Sequence, residues 1–531
     1  MSFVSLAFAL FVTIVVSLFY IVPKKYQWIV LLVASYVFYF ICSEKLIIYL
    51  LVTTITVFLC AKFISKSVKA QKDYIKANKD LSKEEKKQIK ATFKKKQRWL
   101  LLLCVFINIG ILAYLKYINW GIAYFNYYRL MWFGIVDFVN PVTILMPLGI
   151  SFYTFQSVGY IIDVYNGKYE AEENIFKYAL YVSFFPQIIQ GPISRFNELA
   201  PELYKEKTFN IYNIKSGFIR ILFGLFKKLV IAERVSPFVS SVMNFKDYGY
   251  DGFYILLAVF MYSMQIYCDF SGGIDVALGV AEMLDIKVAE NFERPFFSKS
   301  IAEYWRRWHI TLGTWFKDYI FYPLSISKTF LNISKWLKKH FGDEIGKRAP
   351  LYLPLLIVWT TTGMWHGSES RFVVWGLMNF VLIILGTEFE PVSEKLINKF
   401  NIKVNGFWFK SYRIVKTFWL MSFLRLFDIS KDAKDAFRCF SMIFRPWNNF
   451  NMASVYENLS ISHDDFIVVV IAIIALFIAD LMARRGPVRK RVLEKNTFVQ
   501  WVLVSALFTV VIVFGSYGLG YEASSFIYGN F

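Results

Sequence analysis

Two of the four histidines in the 531-residue chain stand in aromatic clusters. One cluster is Trp305-Arg306-Arg307-Trp308-His309 and the other is Thr361-Thr362-Gly363-Met364-Trp365-His366-Gly367. Both lie among apolar runs long enough to cross a bilayer. An imidazole in hydrocarbon costs free energy unless it faces a partner or a water-filled cavity. It is also the side chain best matched to proton transfer near neutral pH. His366, between Trp365 and Gly367, sits in aromatic, partly dry surroundings that favour the neutral ring a general base needs. Such a base takes the proton of an alcohol as its oxygen attacks an acyl carbonyl. Gly363 and Gly367 allow close backbone approach there. A hydrogen-bonded structural histidine is the competing reading at both positions, and it weighs more at His309.

Two acids add to the inventory. Asp269 and Asp275 lie in Tyr267-Cys268-Asp269-Phe270-Ser271-Gly272-Gly273-Ile274-Asp275, inside a largely apolar segment. Membrane acids have a partner or line a cavity, and Arg306 and Arg307 are the candidate partners in an ion pair that holds the fold. Trp305, Trp308, Trp365, Asp269 and Arg306 are the candidate supports around the two histidines. The five cysteines are scattered and read as small buried hydrophobes. Neither a CxxC nor an HExxH spacing is present, so no metal site is expected. A P-loop, a dinucleotide fingerprint and a GxSxG elbow are also missing, and no bound cofactor is expected.

The elements that must position these groups follow from composition. Hydrophobic residues make up 56% of the chain, and apolar windows of about 17–25 residues recur, the length of a spanning helix. The expected architecture is an all-α polytopic membrane protein, one domain over 1–531, with roughly 10–13 membrane-embedded helices. The run 3–22 lacks the basic start and small-residue cleavage site of a signal peptide and reads as a retained helix. Further apolar segments fall near 99–116, 141–162, 175–189, 218–231, 253–284, 351–365, 372–385, 414–426, 466–482 and 498–517. Pro186, Gly191 and Pro192 interrupt 184–196, which suits a re-entrant segment whose broken backbone is buried in protein. Across 296–322, Ile301, Trp305, Trp308, Leu312, Trp315 and Ile320 form one stripe at helical spacing, interleaved with charge. That predicts a single interfacial or partly inserted helix with His309 bordering its apolar face.

The net charge of +21 is unevenly placed: residues 62–98 hold 14 Lys or Arg against four acids. Residues 65–98 are expected to be a basic cytoplasmic loop with the character of a helical hairpin, obeying the positive-inside bias and attracting anionic lipid. The sharper alternative is a docking surface for an acidic cytosolic donor or carrier. Membrane spans flank the stretch immediately, which argues against nucleic acid. With Lys24 and Lys25 cytoplasmic, the N-terminus is expected outside the cell membrane.

Several segments, in order, carry a resemblance. They are Met146-Pro147-Leu148-Gly149-Ile150-Ser151-Phe152-Tyr153-Thr154-Phe155, with Tyr160 and Asp163 after it, and Phe185-Pro186-Gln187 with Gln190-Gly191-Pro192-Ile193. Then come 267–272, Glu290-Asn291-Phe292 with Arg294-Pro295-Phe296, and 304–323. Last are 363–367 and the C-terminal stretch that opens Ser525-Phe526-Ile527-Tyr528 and runs to Phe531. Together they resemble the membrane-bound O-acyltransferase (MBOAT) family, in its bacterial alginate O-acetylation, peptidoglycan O-acetylation and teichoic acid D-alanylation branches. The resemblance implies helices around a central tunnel, with His366 as the family's catalytic histidine. It implies that His309, at a second conserved polar position, positions or polarises the acyl carbonyl. It further implies a cytosolic acyl donor, acetyl-CoA or an acyl carrier protein. The acceptor would be an extracytoplasmic polysaccharide, or a partner transferase of the SGNH type. Cys268 and Gly273, and Ser325-Ile326-Ser327-Lys328, depart from the alginate pattern and leave the acceptor open. The alternatives are D-alanyl transfer to teichoic acid and, in a different class, a glycan or lipid transporter with a His and Asp proton relay.

Overall fold

The computed structural model describes residues 2–78, 80–246, 252–445 and 460–517. The C-terminal stretch 525–531 lies outside the described residues. Among those described, regular structure is helical apart from one antiparallel bridge between Phe292 and Trp308. Among the described residues, six helical segments are long and apolar enough to cross a membrane: Lys24–Ala77, Lys83–Phe133, Gly252–Met283, Ser370–Glu388, His463–Arg485 and Thr497–Phe514. This is the all-α, multi-pass architecture that the apolar runs predict. The other expected segments fold as helices that are shorter or less uniformly apolar.

The described residues gather into two compact units, the first comprising 1–217 and 280–289. There α1 (Leu6–Ile21) starts on Ser5, whose hydroxyl accepts the Phe8 N–H. It packs on α2 (Gln27–Ser43) through Phe8, Phe11 and Phe38. α3 (Ile47–Ala77) and α4 (Lys83–Phe133) run through the basic stretch as a helical hairpin. At 51 residues, α4 is about 77 Å long, over twice the ~30 Å hydrocarbon thickness. Ser82 and Glu85 close a reciprocal capping box at its start, at 2.8 and 3.2 Å, which suits its solvated, charged first turns. Its buried residues Gln97, Cys104, Asn108, Leu112 and Leu115 form one stripe. Gln97 donates to Ser67 and Asn108 to Thr56, at 3.2 and 3.3 Å, tying α4 to α3 where lipid offers no hydrogen bonds.

α5 (Ile150–Asn166) begins nine residues after the expected boundary at 141 and is buried from Ile150 through Ile161. Gly149 sets its start: φ is 67°, and a Cβ there would stand 1.8 Å from the Ile188 carbonyl oxygen, so no larger residue fits. α6 (Ile175–Ser183) and α7 (Phe185–Ile188) precede an irregular run to Arg195, after which α8 (Phe196–Tyr204) begins. Every residue of 178–194 is buried. The Gln187 side chain donates to Gln156 Oε1 at 3.2 Å and accepts from the Ser194 hydroxyl at 3.1 Å, while the Gln156 amide donates to the Tyr181 backbone carbonyl at 2.7 Å. Broken backbone is thus enclosed in protein, as the prolines and Gly191 predicted.

The second unit, formed by the described residues of 218–279 and those from 290 onward, begins within α9 (Ile211–Leu225). A π-helical stretch, Phe226–Ala232, leads into α10 (Glu233–Phe245), and α11 (Gly252–Met283) follows. The π stretch buries both Lys227 and Lys228. Lys228 Nζ lies 2.5 Å from Asp269 and 2.5 Å from Glu233. Lys227 Nζ lies 2.6 Å from Asp275, which also accepts from Arg220 at 2.9 Å. These cations replace the expected partners: Arg307 is held by Glu303 at 2.7 Å, and Arg306 is exposed. Lysines on one helix reach acids on its neighbour because a buried charge needs an immediate counter-charge. After these come α12 (Ile301–Arg307), α13 (Ile310–Phe316), a π turn Lys317–Phe321, α14 (Tyr322–Ser325) and α15 (Lys328–Phe341). The chain continues through α16 (Asp343–His366), α17 (Ser370–Glu388), α18 (Glu390–Lys399), α19 (Phe407–Leu424) and α20 (Leu426–Ile429). It closes with α21 (Ala433–Met442), α22 (His463–Met482), α23 (Val488–Leu493) and α24 (Thr497–Phe514).

Candidate active site

The single helix expected over 296–322 is broken at His309. Ser300 caps α12 by accepting the Glu303 N–H, but the helix stops at Arg307. Trp308 is extended and bridges to Phe292; the Glu293 N–H donates to the Arg307 carbonyl at 2.9 Å and the Ile310 N–H to the Asn291 carbonyl at 3.0 Å. His309 then turns through the left-handed region, φ 48° and ψ 50°, before α13 starts. For a residue with a Cβ that conformation costs about 1–3 kcal/mol and persists only where the surroundings over-determine it.

Asn291 does much of that determining. Its Oδ1 accepts from the Thr311 N–H at 3.1 Å and the Thr311 hydroxyl at 2.9 Å, and lies 3.3 Å from His309 Nδ1. Because a backbone N–H points at this atom, it must be the amide oxygen. An oxygen facing Nδ1 requires the Nδ1–H tautomer, which places the ring's lone pair on Nε2. His309 is 3% exposed, with Phe270 and Trp365 rings at 4.8 and 6.0 Å. It lies outside the six spanning segments, and burial pushes its pKa down to about 3. The ring is neutral at neutral pH.

His366 is the last residue of α16. Gly363 lets α16 meet α17: a Cβ there would stand 2.4 Å from the Phe372 carbonyl oxygen, and one on Gly367 would strike the Phe372 ring at 2.5 Å. This close approach buries His366 against Trp375 and Trp365, at ring separations of 4.6 and 5.0 Å. Trp305 joins the same cage. Its Nε1 donates to Asn379 at 3.1 Å, and its ring meets Trp359 and Trp375 at 4.9 and 5.7 Å.

Both histidines line one cavity of 460 Å³. Trp305, Trp308 and Arg306 line it too, and Trp359, Leu355 and Val358 supply much of its apolar wall. Trp365 stacks edge-on with both imidazoles. Asp269 is not among the lining residues; it is clamped by Lys228 instead. The arrangement supplies two imidazoles on one largely apolar, aromatic cavity, which suits proton transfer.

A family model described as the membrane-bound O-acyltransferase family matches residues 172–335, the stretch that holds His309. The chain is 30% identical over 393 residues to the "Probable alginate O-acetylase AlgI" of Pseudomonas syringae pv. tomato, covering 73% of this chain and 67% of that protein. The chain belongs to the MBOAT family. It is also 33% identical over 368 residues to the "Probable alginate O-acetylase AlgI" of Azotobacter vinelandii, covering 69% of this chain but 64% of that relative's length. A more distant MBOAT relative is the "Teichoic acid D-alanyltransferase" of Bacillus subtilis, 29% identical over 259 residues, 48% of this chain and 62% of that one.

Three residues around the MBOAT site act through contacts the sequence does not show. Asn291 stands in one of the resembling motifs, but its role as the turn's acceptor comes from the fold. Asn379 holds Trp305 from α17, and Arg425 stacks its guanidinium 4.7 Å over Trp308 while bonding Tyr304 and Asp428. The only signal for Arg425 was a charge closing the apolar run 414–426.

Proposed function

We propose that this protein is a membrane O-acyltransferase that moves an acetyl group from cytosolic acetyl-CoA to an extracytoplasmic polysaccharide or to a serine on an SGNH-type partner. The observation that carries this reading is the meeting of His309 and His366 on one largely apolar cavity. His366 acts as general base. The acceptor hydroxyl attacks the thioester carbonyl, its proton passes to His366, the new C–O bond forms and the C–S bond breaks. His366 then returns the proton to the leaving thiolate. His309, with its lone pair on Nε2, orients the acceptor hydroxyl as a hydrogen-bond acceptor, a role its tautomer suits better than polarising the carbonyl. Trp305, Trp308 and Trp365 exclude water, so that proximity and desolvation contribute much of the rate. The cavity is one part of a tunnel by which donor and acceptor reach the histidines from opposite membrane faces, with the N-terminus outside and the α3–α4 hairpin in the cytoplasm. Support for acetyl comes from the two alginate O-acetylase relatives.

The D-alanyltransferase relative favours a second reading, in which D-alanine arrives on an acidic carrier protein that docks on the basic hairpin. Incubating membranes containing the protein with labelled acetyl-CoA, or with carrier-bound labelled D-alanine, separates the two. Label from acetyl-CoA on the glycan or partner supports acetyl transfer. Label only from the carrier overturns it.

A further inference from the structure

The second unit holds another cavity, of 610 Å³, that shares only Ile310 with the histidine cavity. Its wall is divided by chemistry. Arg220, Lys227, Asp275 and Glu290 line one part and already neutralise one another at 2.5–2.9 Å. Elsewhere the wall includes Arg294, Arg484 and Arg489. Arg294 and Arg484 make no ion pair among the described residues. Arg294 is held at φ 48° immediately before Pro295, a strained backbone of the kind retained where a side chain must point one way. Two more acids line the wall: Glu293, which is exposed, and Asp480, which accepts from Tyr267 Oη at 3.3 Å and is attracted to Lys227 and Arg294 without a salt bridge to either.

The rest of the wall is hydrocarbon. Leu503, Val504 and Leu507 come from α24, a spanning helix on which Val511 is the one buried residue, as on a helix facing lipid. Arg484 is the penultimate residue of the 23-residue span His463–Arg485, which at 1.5 Å per residue is about 35 Å long and puts its ends at the headgroup level. The turn that follows, Arg484-Arg485-Gly486-Pro487-Val488-Arg489-Lys490-Arg491, holds five cations in eight residues. Basic pockets between spanning helices are suited to anionic headgroups.

We propose that this cavity binds an anionic phospholipid, its phosphate held by Arg294, Arg484 and Arg489 and an acyl chain lying on Leu503, Val504 and Leu507. A zwitterionic headgroup brings its own cation toward these arginines, and a soluble phosphate leaves the α24 wall unused. The assignment does not depend on the acyl-transfer reading.

The test uses the full chain, purified in detergent and reconstituted into nanodiscs containing equal phosphatidylglycerol and phosphatidylcholine, with retained lipid counted by native mass spectrometry. The wild-type protein retains phosphatidylglycerol selectively. Arg294→Gln with Arg484→Gln lowers that selectivity roughly 30-fold, the effect of two headgroup-level cations. Arg485→Gln with Lys490→Gln removes the same charge from outside the wall and leaves selectivity within a few-fold of wild type. Leu507→Trp fills the cavity without changing charge and lowers retention. If the glutamine pair at 294 and 484 fails to fold by size exclusion, the Leu507→Trp variant still decides. Equal losses for both charge pairs, or unchanged retention in Leu507→Trp, overturn the proposal. So does displacement of the phosphatidylglycerol by coenzyme A, which would assign the cavity to a soluble phosphate-bearing donor.

Discussion

Replacing Asn291 by alanine tests whether the turn at His309 is built for the site. Asn291 is fully buried, and its Oδ1 receives two bonds from Thr311 and one from His309 Nδ1. Each neutral bond contributes about 1 kcal/mol net, and leaving a buried donor unmet costs about 1–3 kcal/mol. The loss is therefore on the order of 3 kcal/mol, comparable to the cost of the left-handed backbone that the bonds offset. The His309 ring then loses its tautomer and its position, and a displacement of about 1 Å lowers the rate roughly 100-fold. Two assays read this in the same detergent preparation: thermal unfolding, and transfer of labelled acetyl. Asn291→Asp is the informative comparison. It keeps the oxygen acceptors, so the turn survives, and its charge raises the proton affinity of His309, so that activity gains a dependence on pH in the acid range. An Asn291→Ala protein with wild-type stability and wild-type transfer would refute the reasoning, because the turn would then hold itself.

Two further predictions follow from the buried charges. Lys228→Met removes the cation that both Asp269 and Glu233 face at 2.5 Å and costs about 3–5 kcal/mol. Asp269→Asn leaves Lys228 with Glu233 and costs clearly less, so denaturant midpoints should rank wild type, then Asp269→Asn, then Lys228→Met; the reverse order would contradict the pairing. For His309 the folded pKa of about 3 lies below the unfolded value of about 6.5. Below pH 6.5 the unfolded chain takes a proton that the folded chain refuses, so stability falls as pH drops toward 3, by up to about 1.4 kcal/mol per unit. His309→Gln removes this loss, and the stability difference between wild type and His309→Gln should shrink as pH falls from 6.5; parallel curves would argue against a buried neutral ring.

Much of this fold was legible because its causes are local. The apolar runs, the helical hairpin of the basic stretch, and the prolines and glycine of 184–196 each act within a few residues. The break at His309 was not, because it depends on strand-like pairing of Arg307 and Ile310 with Glu293 and Asn291. On spacing alone, Trp305, Trp308 and Leu312 still look like one helical face. Lys227 and Lys228 fall inside the apolar run 218–231. Two adjacent lysines in such a run are themselves a signal that acids wait on a neighbouring helix. For the site, His309, His366 and their tryptophans were legible from residue type and setting. Asn379 and Arg425 were not, since each acts on a tryptophan distant in sequence.

The central claim is that His366 accepts the acceptor's proton inside the cavity it shares with His309. The most direct measurement is transfer of labelled acetyl from acetyl-CoA in membranes carrying wild-type protein or His366→Gln, with equal amounts of each protein confirmed by size exclusion after extraction. The account predicts a loss of roughly 100- to 10,000-fold in the variant, the range a general base contributes. Transfer within a few-fold of wild type by folded His366→Gln protein would contradict it.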